Sequence, residues 1–158
     1  YTSKIAGTEK GIGKESKLAF SACFGAPFLV HHPFYYANLL KEKMEQHGSN
    51  CWLVNTGWVG GKYGVGARIS IKHTRNVLNA ALNGKLDEVS FRKDPIFGFE
   101  IPETCPDVPS EVLNPMKSWA DENEYMTAYK GLAEKYIENF KKFEDGVANN
   151  VIEAGPTV

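Results

Sequence analysis

The chain has 158 residues, 42% of them hydrophobic and 23% charged, with 18 lysines and arginines against 19 aspartates and glutamates. That composition is globular, and a formal net charge of -1 excludes a polybasic nucleic-acid arm or a long acidic tail. One domain of this length buries roughly 70% of the surface its unfolded chain exposes, so its core requires neither metal nor disulfide.

The opening YTSKIAGTEKGIGKESK is polar and Gly-rich where a secretion signal needs an apolar stretch. With Tyr1 rather than Met at the first position, the chain is expected to begin after a cut or part-way through a gene product. Two readings fit residues 1–17: a disordered terminus, or a lid hinged at Gly7, Gly11 and Gly13 whose Thr8, Glu9 and Lys10 reach a ligand. Leu18 to Val30 is apolar but interrupted by Gly25 and Pro27, which predicts a strand broken by a turn. Its longest apolar-and-small run, Ala22 to Val30, is about half of the roughly 20 residues that a membrane-spanning helix needs.

From Pro33 the periodicity becomes helical. Tyr36, Leu39, Leu40 and Met44 make an apolar stripe, and Gly48 supplies the stop. Cys51 to Val54 reads as a short buried strand, leading to a loop over 57–68 with five glycines in twelve residues. A second helix is predicted over Ser70 to Leu82, with Ile71, Thr74, Leu78 and Leu82 as its inward stripe and Gly84 at its end. Helix, strand, Gly-rich loop and helix in that order predict an α/β protein.

Between Leu86 and Pro115 lie five of the eight prolines, at 95, 102, 106, 109 and 115, which predicts a segment draped over a surface. The long closing helix, 121–143, has Asp121 and Glu124 as a capping pair. Tyr125, Tyr129, Leu132, Ala133, Tyr136, Ile137, Phe140 and Phe143 form a stripe more simply read as core than as a cofactor box.

Chemistry is concentrated in the Gly-rich loop. Glycine lets backbone approach a ligand closely, helix N-termini offer free amides to anions, and Lys62 and Arg68 can balance phosphate charge. The string is not a Walker motif, and a flexible surface connection fits its composition as well as nucleotide or phosphate binding does. Cys23, Cys51 and Cys105 are widely spaced and read as reduced, buried thiols. His31, His32, His47 and His73 have no metal-ligand spacing with a carboxylate, so no metal site is expected from them. Neither Ser21 nor Cys23 sits in a nucleophile elbow.

Taken together, YTSKIAGTEKGI, FSACFGAPFL, HPFYY, WLVNTGW, RISIKHTR, ALNG, DPIFGFEIP, VPSEVLNP and AGPTV resemble the carboxyl-terminal portion of the ATP-dependent phosphoenolpyruvate carboxykinases, in one order and over essentially the whole chain. The resemblance implies an α/β fold, a mixed sheet with flanking helices, forming the carboxyl-terminal part of that family's nucleotide-binding domain. It further implies conversion of oxaloacetate and ATP to phosphoenolpyruvate, ADP and carbon dioxide, in gluconeogenesis and in the cytoplasm. Mg²⁺ would accompany the nucleotide and Mn²⁺ would be a second ion, with the metal, phosphate and substrate ligands upstream of Tyr1. By the match of RISIKHTR, Arg68, Ile69 and Thr74 are the ATP contacts, and residues 6–17 correspond to the family's mobile active-site loop.

Three features depart from the family pattern: a longer stretch from Val59 to Gly66, His73 where Asp or Tyr is more usual, and Met116 in place of an Arg. The upstream remainder of the enzyme is the implied partner, an oligomer is open, and neither nucleic acid nor membrane is implied. The isolated 158 residues are expected to be inactive. A free-standing nucleotide-binding module and a non-catalytic structural fragment are the alternatives.

Overall fold

A computed structural model describes residues 2–4, 17–20, 25–62 and 64–158. The chain divides into two compact units, Tyr1–Cys51 and Trp52–Val158, each described here by itself.

In the first unit, β1 (Thr2–Lys4) pairs antiparallel with β2 (Lys17–Ala19), placing Ser3 opposite Leu18. The lid candidates Thr8, Glu9 and Lys10 lie outside the described residues, as do Ser21 and Cys23. Ala26–Phe28 is a single 3-10 turn with Pro27 near its start, where the missing proline amide costs no hydrogen bond. The expected helix forms as α1 (Pro33–His47). His32 Nδ1 accepts the Phe34 amide at its start, and Gly48, in the left-handed conformation with φ 59°, ends it. The predicted stripe is only partly covered: Tyr36 and Met44 are half-buried, whereas Leu39 and Leu40 are exposed.

In the second unit, β3 (Trp58–Val59) pairs with β4 (Ala67–Arg68), and α2 (Ile71–Leu82) follows at once. A second hairpin pairs β5 (Phe91–Lys93) with β6 (Glu100–Pro102). Two short helices, α3 (Ser110–Leu113) and α4 (Pro115–Ser118), precede the long α5 (Glu122–Phe140), and α6 (Asn149–Glu153) closes the chain.

Several expectations are corrected. All described strand pairs are two-stranded and antiparallel, so the mixed sheet does not form among the described residues. Cys51 to Val54 is not a strand: an extended segment becomes one only through ladder bonds, and it makes none. Cys51 is exposed rather than buried. The prolines of 86–115 do not prevent a hairpin, because each strand has one free edge and Pro102 stands at the last position of β6.

The inward face of α2 is also not the one its large residues predict. Ile71, Leu78 and Leu82 are exposed, while Val77, Ala80 and Ala81 face the core. Small side chains let the helix backbone approach Leu86 and Cys105, around which Trp52, Val89, Val108 and Leu113 also pack. Gly84, with φ 66°, turns the chain so that the Lys85 amide reaches the Ala80 carbonyl (2.9 Å) and the Gly84 amide reaches Ala81 (3.3 Å). This cap delivers Leu86, 1% exposed, into the core directly after the helix. A second tie to α2 comes from the turn Cys105–Val108, where Asp107 adopts φ 60° and its carbonyl accepts Asn76 Nδ2 at 2.9 Å.

Asp94 organises the other end of the unit. Its buried carboxylate accepts the amides of Ile96 (3.0 Å) and Phe97 (2.7 Å) and the hydroxyl of Tyr129 on α5 (2.5 Å). The turn it closes presents Phe97 to Tyr129 and Tyr136, at ring-centroid distances of 5.4 and 5.5 Å. The long helix α5 is N-capped by Asp121, whose carboxylate accepts the amides of Asn123 and Glu124, so Glu124 receives the cap through its backbone. Near the terminus the Thr157 amide donates to the Ile96 carbonyl at 2.9 Å, fixing the tail to the same turn.

Candidate nucleotide-base site

The site is built on one short passage, from the β3–β4 hairpin into the first turn of α2. Trp58 lies opposite Arg68 and Val59 opposite Ala67. Directly opposed residues of an antiparallel pair project to the same face, so Trp58 and Arg68 share one face of the hairpin. Both are exposed, Trp58 at 43%. The Ile69 amide donates to the Gly57 carbonyl at 3.0 Å, which fixes the step between strand and helix and leaves the Ile69 side chain half-buried. The Ser70 hydroxyl accepts the His73 amide at 3.1 Å, and the Ser70 carbonyl accepts the Thr74 amide at 3.0 Å. Thr74 therefore sits, half-buried, in the first turn of a helix whose start is held on both sides.

Within this passage Arg68, Ile69 and Thr74 flank a helix N-terminus, where the backbone dipole favours acceptors and negative charge. A guanidinium and an indole supply flat faces for a purine, and a threonine hydroxyl supplies a donor and acceptor. Trp58 was not singled out from sequence. Its signal was available in the WLVNTGW string, but only the pairing with Arg68 shows what it lies beside.

Two amides of the Gly-rich loop are committed inside the hairpin tip. The amides of Val65 and Gly66 both donate to the Lys62 carbonyl, at 3.0 and 2.9 Å, and are not offered outward. Gly61 and Gly66 pack against each other at the tip. A Cβ on Gly66 would lie 2.6 Å from the Val59 oxygen and 2.7 and 2.8 Å from the Gly61 oxygen and nitrogen. His73, the residue that departs from the family pattern, has its Nδ1 buried without a hydrogen-bond partner.

Among the described residues, no group of three or more His, Cys, Asp or Glu side chains could hold a metal ion. No described helix is long and apolar enough to cross a membrane.

A sequence model of the family described as phosphoenolpyruvate carboxykinase matches residues 1–111. Among individual relatives, the phosphoenolpyruvate carboxykinase (ATP) of Caldanaerobacter subterraneus subsp. tengcongensis is 53% identical over 156 residues, covering 99% of this chain and 30% of the relative. That of Thermus thermophilus is 52% identical over 156 residues, again 99% of this chain and 29% of the relative. One of the Moorella thermoacetica proteins of the same name is 52% identical over 155 residues, or 98% and 29%. The chain thus spans about 30% of the length of the relatives it matches.

Proposed function

The chain belongs to the phosphoenolpyruvate carboxykinase family, and on that premise we propose that it is part of an ATP-dependent carboxy-lyase, supplying the adenine side of the ATP pocket. The reaction is decarboxylation of oxaloacetate with phosphoryl transfer from ATP, yielding phosphoenolpyruvate, ADP and carbon dioxide in the cytoplasm. The observation that carries the proposal is the anchored passage from Arg68 to Thr74, in which cation, apolar wall and hydroxyl flank the start of α2.

Each residue has a role set by its chemistry. Arg68 packs its guanidinium on the purine, with Trp58 beside it. Ile69 contributes main-chain groups and an apolar wall, and Thr74 contributes a hydroxyl. Thr8, Glu9 and Lys10 belong to a lid that closes over the reacting groups. Closure excludes water, which would otherwise protonate the enolate left by loss of carbon dioxide. Mg²⁺ and Mn²⁺ would supply positive charge to the reaction and would be held by residues outside this chain.

The remainder of the enzyme is the proposed partner. Leu53, Ile71 and Leu82 of the second unit are 78%, 72% and 83% exposed, and a family chain more than three times as long supplies what would cover them.

The test is equilibrium binding in the full-length enzyme. Arg68→Ala is expected to raise the Kd for ATP about tenfold, the loss of one charge-assisted or cation–π contact, and to leave oxaloacetate binding unchanged. An unchanged ATP Kd would overturn the assignment of the base site. The 158 residues alone are expected to show no turnover, and measurable formation of phosphoenolpyruvate by them would refute the division of roles.

A further inference from the structure

We propose that a cleft between the β5–β6 hairpin and the α3–α4 turn binds a small aliphatic monocarboxylate. The cleft has a volume of about 160 Å³ and is lined by Arg92, Pro102, Glu103, Ser110, Leu113, Asn114 and Lys117. This space is too small for a nucleotide and suited to a short-chain acid.

The lining selects for a single negative charge. Arg92 and Lys117 face the cleft with Glu103 as the opposing acid, so two cations and one carboxylate leave one net positive charge. Among the described residues neither cation has a carboxylate oxygen within 4.0 Å; the ion pairs there join Lys41 to Glu45 and Lys141 to Glu138. Cations that stand outside close ion pairs in a concave site raise the local potential and attract an anion.

The site is also preorganised. Arg92 stands in the middle of β5, opposite Ile101, and one guanidinium nitrogen donates to the Leu113 carbonyl at 2.8 Å. This holds the planar fork in place and leaves its other N–H groups for a carboxylate, a geometry that guanidinium matches with two parallel bonds. The Lys117 amide donates to the Asn114 carbonyl at 3.1 Å, tying the residue that carries the second cation to the same turn. The Ser110 hydroxyl and the Asn114 carboxamide add neutral donors. Pro102 and Leu113 supply apolar surface for a short hydrocarbon stem, which distinguishes a carboxylic acid from inorganic phosphate. The cleft shares no residue with the Arg68–Thr74 passage, so the proposal stands or falls apart from the nucleotide reading.

The experiment is a two-dimensional ¹H–¹⁵N titration of the labelled protein with sodium propionate, with sodium chloride at matched ionic strength and sodium phosphate as comparators. Propionate should give saturable shifts at the amides of Arg92, Glu103, Leu113, Asn114 and Lys117, with phosphate weaker and chloride without effect. Lys117→Gln, at an exposed position, should weaken propionate binding about tenfold, the scale of one charge-assisted hydrogen bond. Arg92→Lys should weaken it as well, since the ammonium cannot offer the two-pronged contact. Shifts that follow ionic strength alone, phosphate binding as tightly as propionate, or an unchanged affinity in Lys117→Gln would each overturn the proposal.

Discussion

Asp94→Ala is expected to destabilise the second unit by about 3–4 kcal/mol, seen in urea or thermal unfolding as a drop of about 10 °C in Tm. The reason is not the carboxylate's own contribution but what its removal leaves behind. Two backbone amides, of Ile96 and Phe97, and the Tyr129 hydroxyl lose their acceptor in a buried to half-buried region. The β5–β6 turn, its contacts to α5 and the Thr157 anchor rest on the same arrangement, so the loss should be cooperative. Asp94→Asn keeps one acceptor oxygen and should cost less than half as much. The Tyr129 phenol provides a check with a sign. Burial, then its bond to Asp94 and that residue's charge, push its proton affinity above the ordinary value of 10.0. Its contribution is therefore complete below pH 10 and is lost as pH rises above that value, because the unfolded chain ionises first. Tyr129→Phe should reduce this alkaline loss, whereas Asp94→Ala should lower stability at neutral pH already.

What the sequence made legible follows from which signals are local. The starts and stops of α1, α2 and α5 depend on a capping residue and the turn around it, and Pro33, Gly48, Ser70, Gly84 and Asp121 act where their chemistry places them. The buried face of α2 was misread because periodicity ranks Leu and Ile above Ala, while the core here requires close approach and takes Ala80 and Ala81. Leu86 was missed for a related reason: it belongs to no periodic segment and is carried inward by the cap before it. The Asp94–Tyr129 bond spans 35 residues, and no local pattern encodes it. At the candidate site, family resemblance marked Arg68, Ile69 and Thr74, while composition left the packing of the loop beside them unread. Its glycines read only as ligand-approach residues, whereas Gly61 and Gly66 also serve the packing of the hairpin tip.

That packing makes Gly66→Ala the mutation that links fold to site most directly. A methyl at this position would meet three backbone atoms at 2.6 to 2.8 Å, closer than real Cβ atoms come, and none belongs to a flexible side chain that could move away. The tip must open at a cost of about 3 kcal/mol. The Val59–Ala67 and Trp58–Arg68 pairs lie directly behind it. Their loss releases Arg68 from its place beside Trp58, so ATP affinity of the full-length enzyme should fall at least as far as in Arg68→Ala, although residue 66 touches no ligand. Gly64→Ala separates the causes. Its φ of 87° strains any side chain, but a Cβ there has no atom within 4 Å. It should cost only about 1 kcal/mol and leave nucleotide binding near the wild-type value. Amide hydrogen exchange at Val59 and Ala67, measured with the ATP titration, reads both halves of the argument. Faster exchange in Gly66→Ala with unchanged ATP affinity would show that the hairpin does not position the base site.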